Sequence, residues 1–168
     1  MFYADACLKC KELTSFINEK GYCYNCQEIL GLPVAFLLTS WTESSVDDNQ
    51  LIANRLQEEL ENAFNIVPSD KFRSLKKDSF SQSTIDYAIK SDIDISSLVI
   101  GLIDQGGKIS PGIIYYAQYA MSKGLPVFFL AEDPNNSINF ALQKFCLSIE
   151  VMPQVLAAKI LALKELSE

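Results

Sequence analysis

The stretch Ser97–Glu132, SLVIGLIDQGGKISPGIIYYAQYAMSKGLPVFFLAE, decides how the rest of the chain is read. Leu98 to Ile103 is an apolar, β-branched run, the pattern of a strand buried on both faces. A loop from Asp104 to Ser110 follows, with Gly106 and Gly107 side by side. Ser110-Pro111 then reads as a helix start, because serine accepts from free N–H groups at an N-cap and proline has its φ preset for the first helical position. The helix is expected to run to about Lys123, where Lys123-Gly124 is a stop signal. Pro126 opens a second apolar run, Val127 to Ala131. Strand, helix and strand in this order make a βαβ unit, with parallel strands and a right-handed crossover. A site in such a unit belongs at the carboxyl end of the first strand, in front of the helix.

The pattern repeats on both sides. Val34 to Leu38, Phe64 to Val67 and Leu147 to Val151 read as three further strands. A helix capped by Asp47 or Asp48 runs through about Ala63, with Leu51, Ile52, Arg55, Leu56, Glu59 and Leu60 as an apolar stripe with a polar rim. Ser83 to Ser91 is a helix with Ser81 or Ser83 as its cap, and Ile138 to Phe145 is a short one. Pro153 begins a terminal helix, with Val155, Leu156, Lys159, Ile160 and Leu163 along it. Five strands with intervening helices imply an α/β class, a flavodoxin-like (Rossmann-like) doubly wound five-stranded parallel sheet of order 2-1-3-4-5. Its crevice lies between the first and third strands, faced by the loops Ser40–Val46 and Asp104–Gly112. There is no GxGxxG and no GxxxxGK[ST], so neither a dinucleotide fingerprint nor a P-loop is present. Between the second strand and the next helix, Lys71, Arg73, Lys76 and Lys77 form the only basic cluster. A solvated loop is its plainer reading and a phosphate-facing lip its functional one.

Composition narrows the chemistry. The 168 residues are 49% hydrophobic and 21% charged, as in a globular chain. A net charge of −7 argues against broad nucleic-acid binding, which needs a basic face. With no histidine, any acid or base must be a carboxylate, tyrosine, lysine or cysteine. No run reaches the length of a membrane span and the first residues do not read as a signal peptide, so a cytoplasmic location is expected.

Residues 1–30 stand apart as a unit, with 31–168 as the α/β domain. Cys7-x-x-Cys10 and Cys23-x-x-Cys26 supply four thiolates, the donor set of a tetrahedral structural Zn²⁺ in a zinc ribbon. A redox dithiol pair or two disulfides are the competing readings. A unit this small buries little core, so a bound metal would hold it folded. Its lysines are balanced by acids, which favours docking to a protein partner over DNA binding.

The run Ser110-Pro111-Gly112-Ile113-Ile114-Tyr115-Tyr116-Ala117-Gln118-Tyr119-Ala120, followed by Lys123-Gly124-Leu125-Pro126-Val127, resembles the nucleoside 2-deoxyribosyltransferase pattern. That pattern is roughly Asp-x-Gly, three residues, Glu-x-Gly-x-Ala, and a Gly-Lys-Pro-Val link into a strand. Ala35 to Trp41, Val67-Pro68-Ser69-Asp70 and Glu132-Asp133-Pro134 onward to Ile138-Asn139 resemble further segments, over roughly residues 33–150. The resemblance implies a nucleoside or nucleotide ligand, and oligomers whose sites are completed across an interface. In that mechanism a carboxylate attacks the anomeric carbon while an acid protonates the leaving base. Here the nucleophilic Glu falls at Tyr116, its companion Gly at Gln118, and the Asp before Pro-Gly at Ser110. The strand-one Tyr falls at Phe36, and the Asp before the third strand at Ser97, with Asp92 and Asp94 close by. A phenol is a poor substitute for a carboxylate nucleophile, so the family's own route is not expected.

Candidate site residues follow. Ser40 belongs to the first crevice loop. The Gly106-Gly107 loop, Lys108, Ser110 and Gly112 suit an anion through backbone N–H groups and a positive helix end, although a tight βα connection looks the same. Trp41, the only tryptophan, is placed to stack on a base, or is a packing residue. Glu43 and Asp104 are candidate acid, base or ribose-hydroxyl acceptors, or else solvated loop residues. Tyr116 is the third catalytic candidate, although Tyr115, Tyr116 and Tyr119 together read more simply as core or subunit-interface residues. Cys146 reads as a small core residue. Three functions are open: a nucleoside or nucleotide holder, an N-glycoside hydrolase or transferase using Glu43 or Asp104, and an interaction protein with a filled crevice.

Overall fold

The computed structural model describes residues 5–6, 13–14, 32–40, 46–60, 63–72, 80–103, 109–131, 146–150 and 152–167. Two short strands, β1 (Asp5–Ala6) and β2 (Leu13–Thr14), pair antiparallel, with Asp5 opposite Thr14 and Ala6 opposite Leu13. The larger sheet follows in chain order as β3 (Val34–Leu38), α1 (Val46–Leu60), β4 (Asn65–Pro68), α2 (Gln82–Asp94), β5 (Leu98–Leu102), α3 (Pro111–Ser122), β6 (Val127–Leu130), β7 (Ser148–Glu150) and α4 (Pro153–Ser167). Its five strands are all parallel and lie in the order β4-β3-β5-β6-β7. This is the second-first-third-fourth-fifth arrangement that the sequence predicts.

Alternation along the strands builds two cores. Val34, Phe36 and Leu38 point to the side covered by α2 and α3, and Ala35 and Leu37 to the side covered by α1 and α4. The first layer gathers Phe72, Ile85, Ile89, Ile93, Ile113, Tyr116, Ala117 and Phe129. The second joins Ala53, Leu56 and Leu60 to Leu156, Ala157 and Ile160. Strands buried on both faces need no polar alternation, which explains their unbroken apolar runs.

Several details differ from the sequence reading. Helix α1 is described over Val46–Leu60, so Asp47 and Asp48 lie within the helix and not at its cap. Its buried line is Ala53, Leu56 and Leu60, whereas Leu51 is 52% exposed. A step of 3.6 residues carries Leu51 outside the face that meets the sheet. Helix α2 runs to Asp94, one turn past the expected end, with Ser81 as cap: its Oγ accepts from the Thr84 N–H at 3.2 Å. In α4 the buried residues are Leu156, Ala157 and Ile160, while Val155 and Leu163 are exposed. Ser69–Phe72 forms a 3-10 turn where a loop was expected. The short helix expected at Ile138–Phe145 lies outside the described residues. The edge strand β4 is closed off by Gln57, whose Oε1 accepts from the Ile66 N–H at 2.8 Å and whose Nε2 donates to the Phe64 carbonyl at 3.0 Å.

Candidate functional site

Parallel strands β3 and β5 pair with Leu38 opposite Gly101 and then run out together at the carboxyl edge of the sheet. The strand order reverses direction here, which makes the gap between their outgoing loops the natural crevice. Beyond β3, Thr39 and Ser40 are both buried. The Thr39 N–H donates to the Ser69 Oγ at 2.9 Å, and the two hydroxyls meet at 3.0 Å. Beyond β5, the Ile103 N–H still donates to the Leu130 carbonyl at 2.9 Å. Of the predicted site residues, Trp41, Glu43, Asp104, Gly106, Gly107 and Lys108 lie outside the described residues.

Helix α3 begins on the same edge of the sheet. Ser110 occupies the cap position, but its side chain makes no cap hydrogen bond. Its carbonyl instead accepts from the Ile113 N–H at 3.0 Å. This corrects the expected side-chain cap. Pro111 starts the helix as expected. Gly112 is exposed, and among the described residues a Cβ added there would meet only the Ser110 Oγ at 3.7 Å. Gly101, in the strand behind, is the opposite case. A Cβ there would stand 2.5 Å from Phe129 Cε1 and 3.2 Å from Ile113 Cγ2, so α3 lies against the sheet because this position has no side chain. The structure therefore brings Ser40, Ser110 and Gly112 to one edge.

Tyr116 goes elsewhere. It sits in the second turn of α3, 9% exposed, in the buried cluster with Phe36, Val67, Phe72 and Ile113. Its phenol lies near Asp86 of α2 and is pushed up to about 12, first by burial and then by the charge of Asp86. Asp86 also pairs with Lys90 at 3.0 Å. The Lys90 ammonium donates to the Tyr115 hydroxyl at 2.7 Å and lies over the rings of Tyr115 and Tyr119, at 5.0 and 5.2 Å from their centroids. Those partners hold Lys90 protonated well above the ordinary lysine value. Tyr119 donates to Asp94 at 2.8 Å, which raises its own phenol. The three tyrosines thus knit α3 to α2. Sequence reasoning missed Asp86, the carboxylate beside Tyr116. Its available signal was the Asp86–Lys90 pair at i, i+4 on a helix that follows the second strand.

Cys7, Cys10, Cys23 and Cys26 lie outside the described residues. Among the described residues, no group of three or more His, Cys, Asp or Glu side chains is placed to hold a metal ion. Cys146 is a half-buried free thiol just before β7, raised by desolvation. Among the described residues, no helix is long and apolar enough to cross a membrane.

No family model and no curated protein sequence matches the chain. Solved structures do. A conserved protein of Enterococcus faecalis V583 matches with a TM-score of 0.57 at 14% identity, over 76% of this chain and 97% of that one. A CMP N-glycosidase of Clostridium botulinum matches with a TM-score of 0.50 at 13% identity, over 75% and 97%. A 2-desoxiribosyltransferase of Leishmania mexicana gives a TM-score of 0.46 at 10% identity, over 60% and 66%. At these identities the likeness is one of fold. That fold is the five-stranded parallel α/β sheet already described, shared with the N-glycosidase.

Proposed function

We propose that this chain holds a nucleoside or nucleotide at the carboxyl edge of its sheet, on a deoxyribosyltransferase-like fold from which the family's nucleophile has been lost. The observation that carries this reading is Tyr116. A phenol near 12 is ionised to only about one part in 10⁵ at neutral pH, and the nearby charge of Asp86 opposes its ionisation further. Attack on an anomeric carbon from this position has no carboxylate to make it. What supports ligand holding is the first turn of α3, exposed at Gly112 and free of crowding there among the described residues. Ser40, Trp41, Gly106, Gly107, Lys108, Ser110 and Gly112 would then contact the ligand, with Trp41 against the base and the glycine loop and Lys108 around a phosphate. Residues 1–30 would form the Cys7, Cys10, Cys23 and Cys26 zinc ribbon, and 31–168 the ligand-holding domain. The β1–β2 pair, which brackets Cys7 and Cys10, is in keeping with such a ribbon. We assign the ribbon to structure or to docking of a protein partner, and expect the chain to self-associate in the cytoplasm.

A second reading, an interaction protein whose crevice is filled by itself, draws on the same layer: Phe36, Phe72, Ile113 and Tyr116 pack there with almost no exposure. Titration calorimetry and thermal shift with CMP and with deoxynucleosides separate the two, because a ligand that binds only the folded chain raises Tm. Binding without release of free base, weakened by Gly112→Ala, is expected. That substitution should not cost stability, since alanine is favoured over glycine in a helix by up to about 1 kcal/mol. No shift with any of these compounds would favour the filled crevice. Free base whose release is lost in Glu43→Gln or Asp104→Asn would make the chain an N-glycosidase or transferase and overturn the ligand-holder reading.

A further inference from the structure

We infer that Ser69 is a positioning residue of the crevice, fixing the backbone at Thr39, from which the chain continues to Ser40 and Trp41; as a statement about ligand binding it rests on the proposed function. The β3–β4 ladder ends with Leu37 opposite Pro68. Proline brings no N–H, and the chain turns at once into the 3-10 turn Ser69–Phe72, so β4 leaves the ladder just where β3 still has a donor to place. That donor, the Thr39 N–H, goes to the Ser69 Oγ at 2.9 Å, and the Thr39 Oγ1 meets the same oxygen at 3.0 Å. Both residues are buried, at 5% and 2% exposure, so water is a poor substitute for either bond. A side chain therefore adds one more rung to the sheet. It fixes the backbone at Thr39, one residue before Ser40 and two before Trp41. Ser69 touches no reacting group in this account and acts on the crevice through Thr39.

The chain's single tryptophan makes this testable without any ligand. Trp41 emission and acrylamide quenching are measured well below Tm in the full chain and in Ser69→Ala, Thr39→Val and Ser96→Ala. Ser96 is the matched control. It is buried and donates its Oγ to the Asp92 carbonyl at 2.6 Å, at the opposite end of the strands, just before β5. Ser69→Ala is expected to shift Trp41 emission and quenching and to weaken CMP binding about tenfold, or 1.4 kcal/mol. Thr39→Val keeps the N–H bond and should shift emission less. Ser96→Ala should lower Tm and leave emission and affinity alone. Trp41 emission unmoved by Ser69→Ala, or moved equally by Ser96→Ala, overturns the proposal whatever the affinity does. If the unaltered chain binds no nucleotide, the ligand reading falls, while the Trp41 signal still decides the role of Ser69.

Discussion

The two helical layers of this sheet are built from different materials. Between α1 and α4 the packing is mainly aliphatic, with Ala53, Leu56, Leu60, Leu156, Ala157 and Ile160 laid over Ala35, Leu37 and Ile100 beside Phe64 and Phe128. Between α2 and α3 the packing contains Phe36, Phe72, Tyr116 and Phe129, and its rim is a chain of tyrosines, carboxylates and Lys90. The aliphatic layer does one thing, which is to remove apolar surface from water. The aromatic layer does that too, but it also sets the phenol of Tyr116 beside the carboxylate of Asp86. The difference teaches that one sheet can be covered in two ways: the α2–α3 layer adds cross-helix hydrogen bonds at Tyr115 and Tyr119 to its apolar burial.

The contrast can be broken first on the plain side. Leu56→Ala should cost about 2–5 kcal/mol, read as a lower denaturation midpoint, because Leu56 is fully buried between α1 and the sheet and nothing polar stands by to fill the space. A loss much under 2 kcal/mol would mean that α1 is not part of the cooperative core. Gly101→Ala comes next, at about 1–3 kcal/mol. Its Cβ would press on the Phe129 ring and Ile113, and α3 would have to lift from β5. If denaturant melting finds this variant as stable as the parent, the close approach of α3 is wrong.

The smallest effect sharpens the comparison from the aromatic side. Tyr116→Phe keeps the ring and removes the hydroxyl, and Asp86 retains Lys90, so the cost at neutral pH is about 1 kcal/mol. Its signature lies in the pH dependence. The folded chain holds the phenol proton to about 12, whereas an unfolded tyrosine releases it near 10. The hydroxyl's contribution is therefore complete below pH 10 and is lost as pH rises from 10 towards 12. Melting curves across that window should fall more steeply for the parent than for Tyr116→Phe. Equal slopes would place Tyr116 in water instead of in the core.

Much of the architecture was legible in the residues themselves. Apolar runs bounded by turn signals located the strands of the larger sheet, Lys123-Gly124 marked the end of α3, where Gly124 takes a φ of 78°, and strand-helix alternation implied the doubly wound parallel class, whose expected order 2-1-3-4-5 the sheet has. Local pattern is enough for this because a strand buried on both faces, or a helix stop that needs φ above zero, is required by a few adjacent residues. Tertiary structure alone decided which face of each helix is covered, that Ser110 does not cap with its side chain, and that Thr39 is met by Ser69, 30 residues away in sequence. It also decided that Asp86 stands beside Tyr116. These contacts join separate segments, and periodicity within one segment carries no information about what the other presents. A tyrosine looks the same in the sequence whether it faces a ligand or a carboxylate on the next helix.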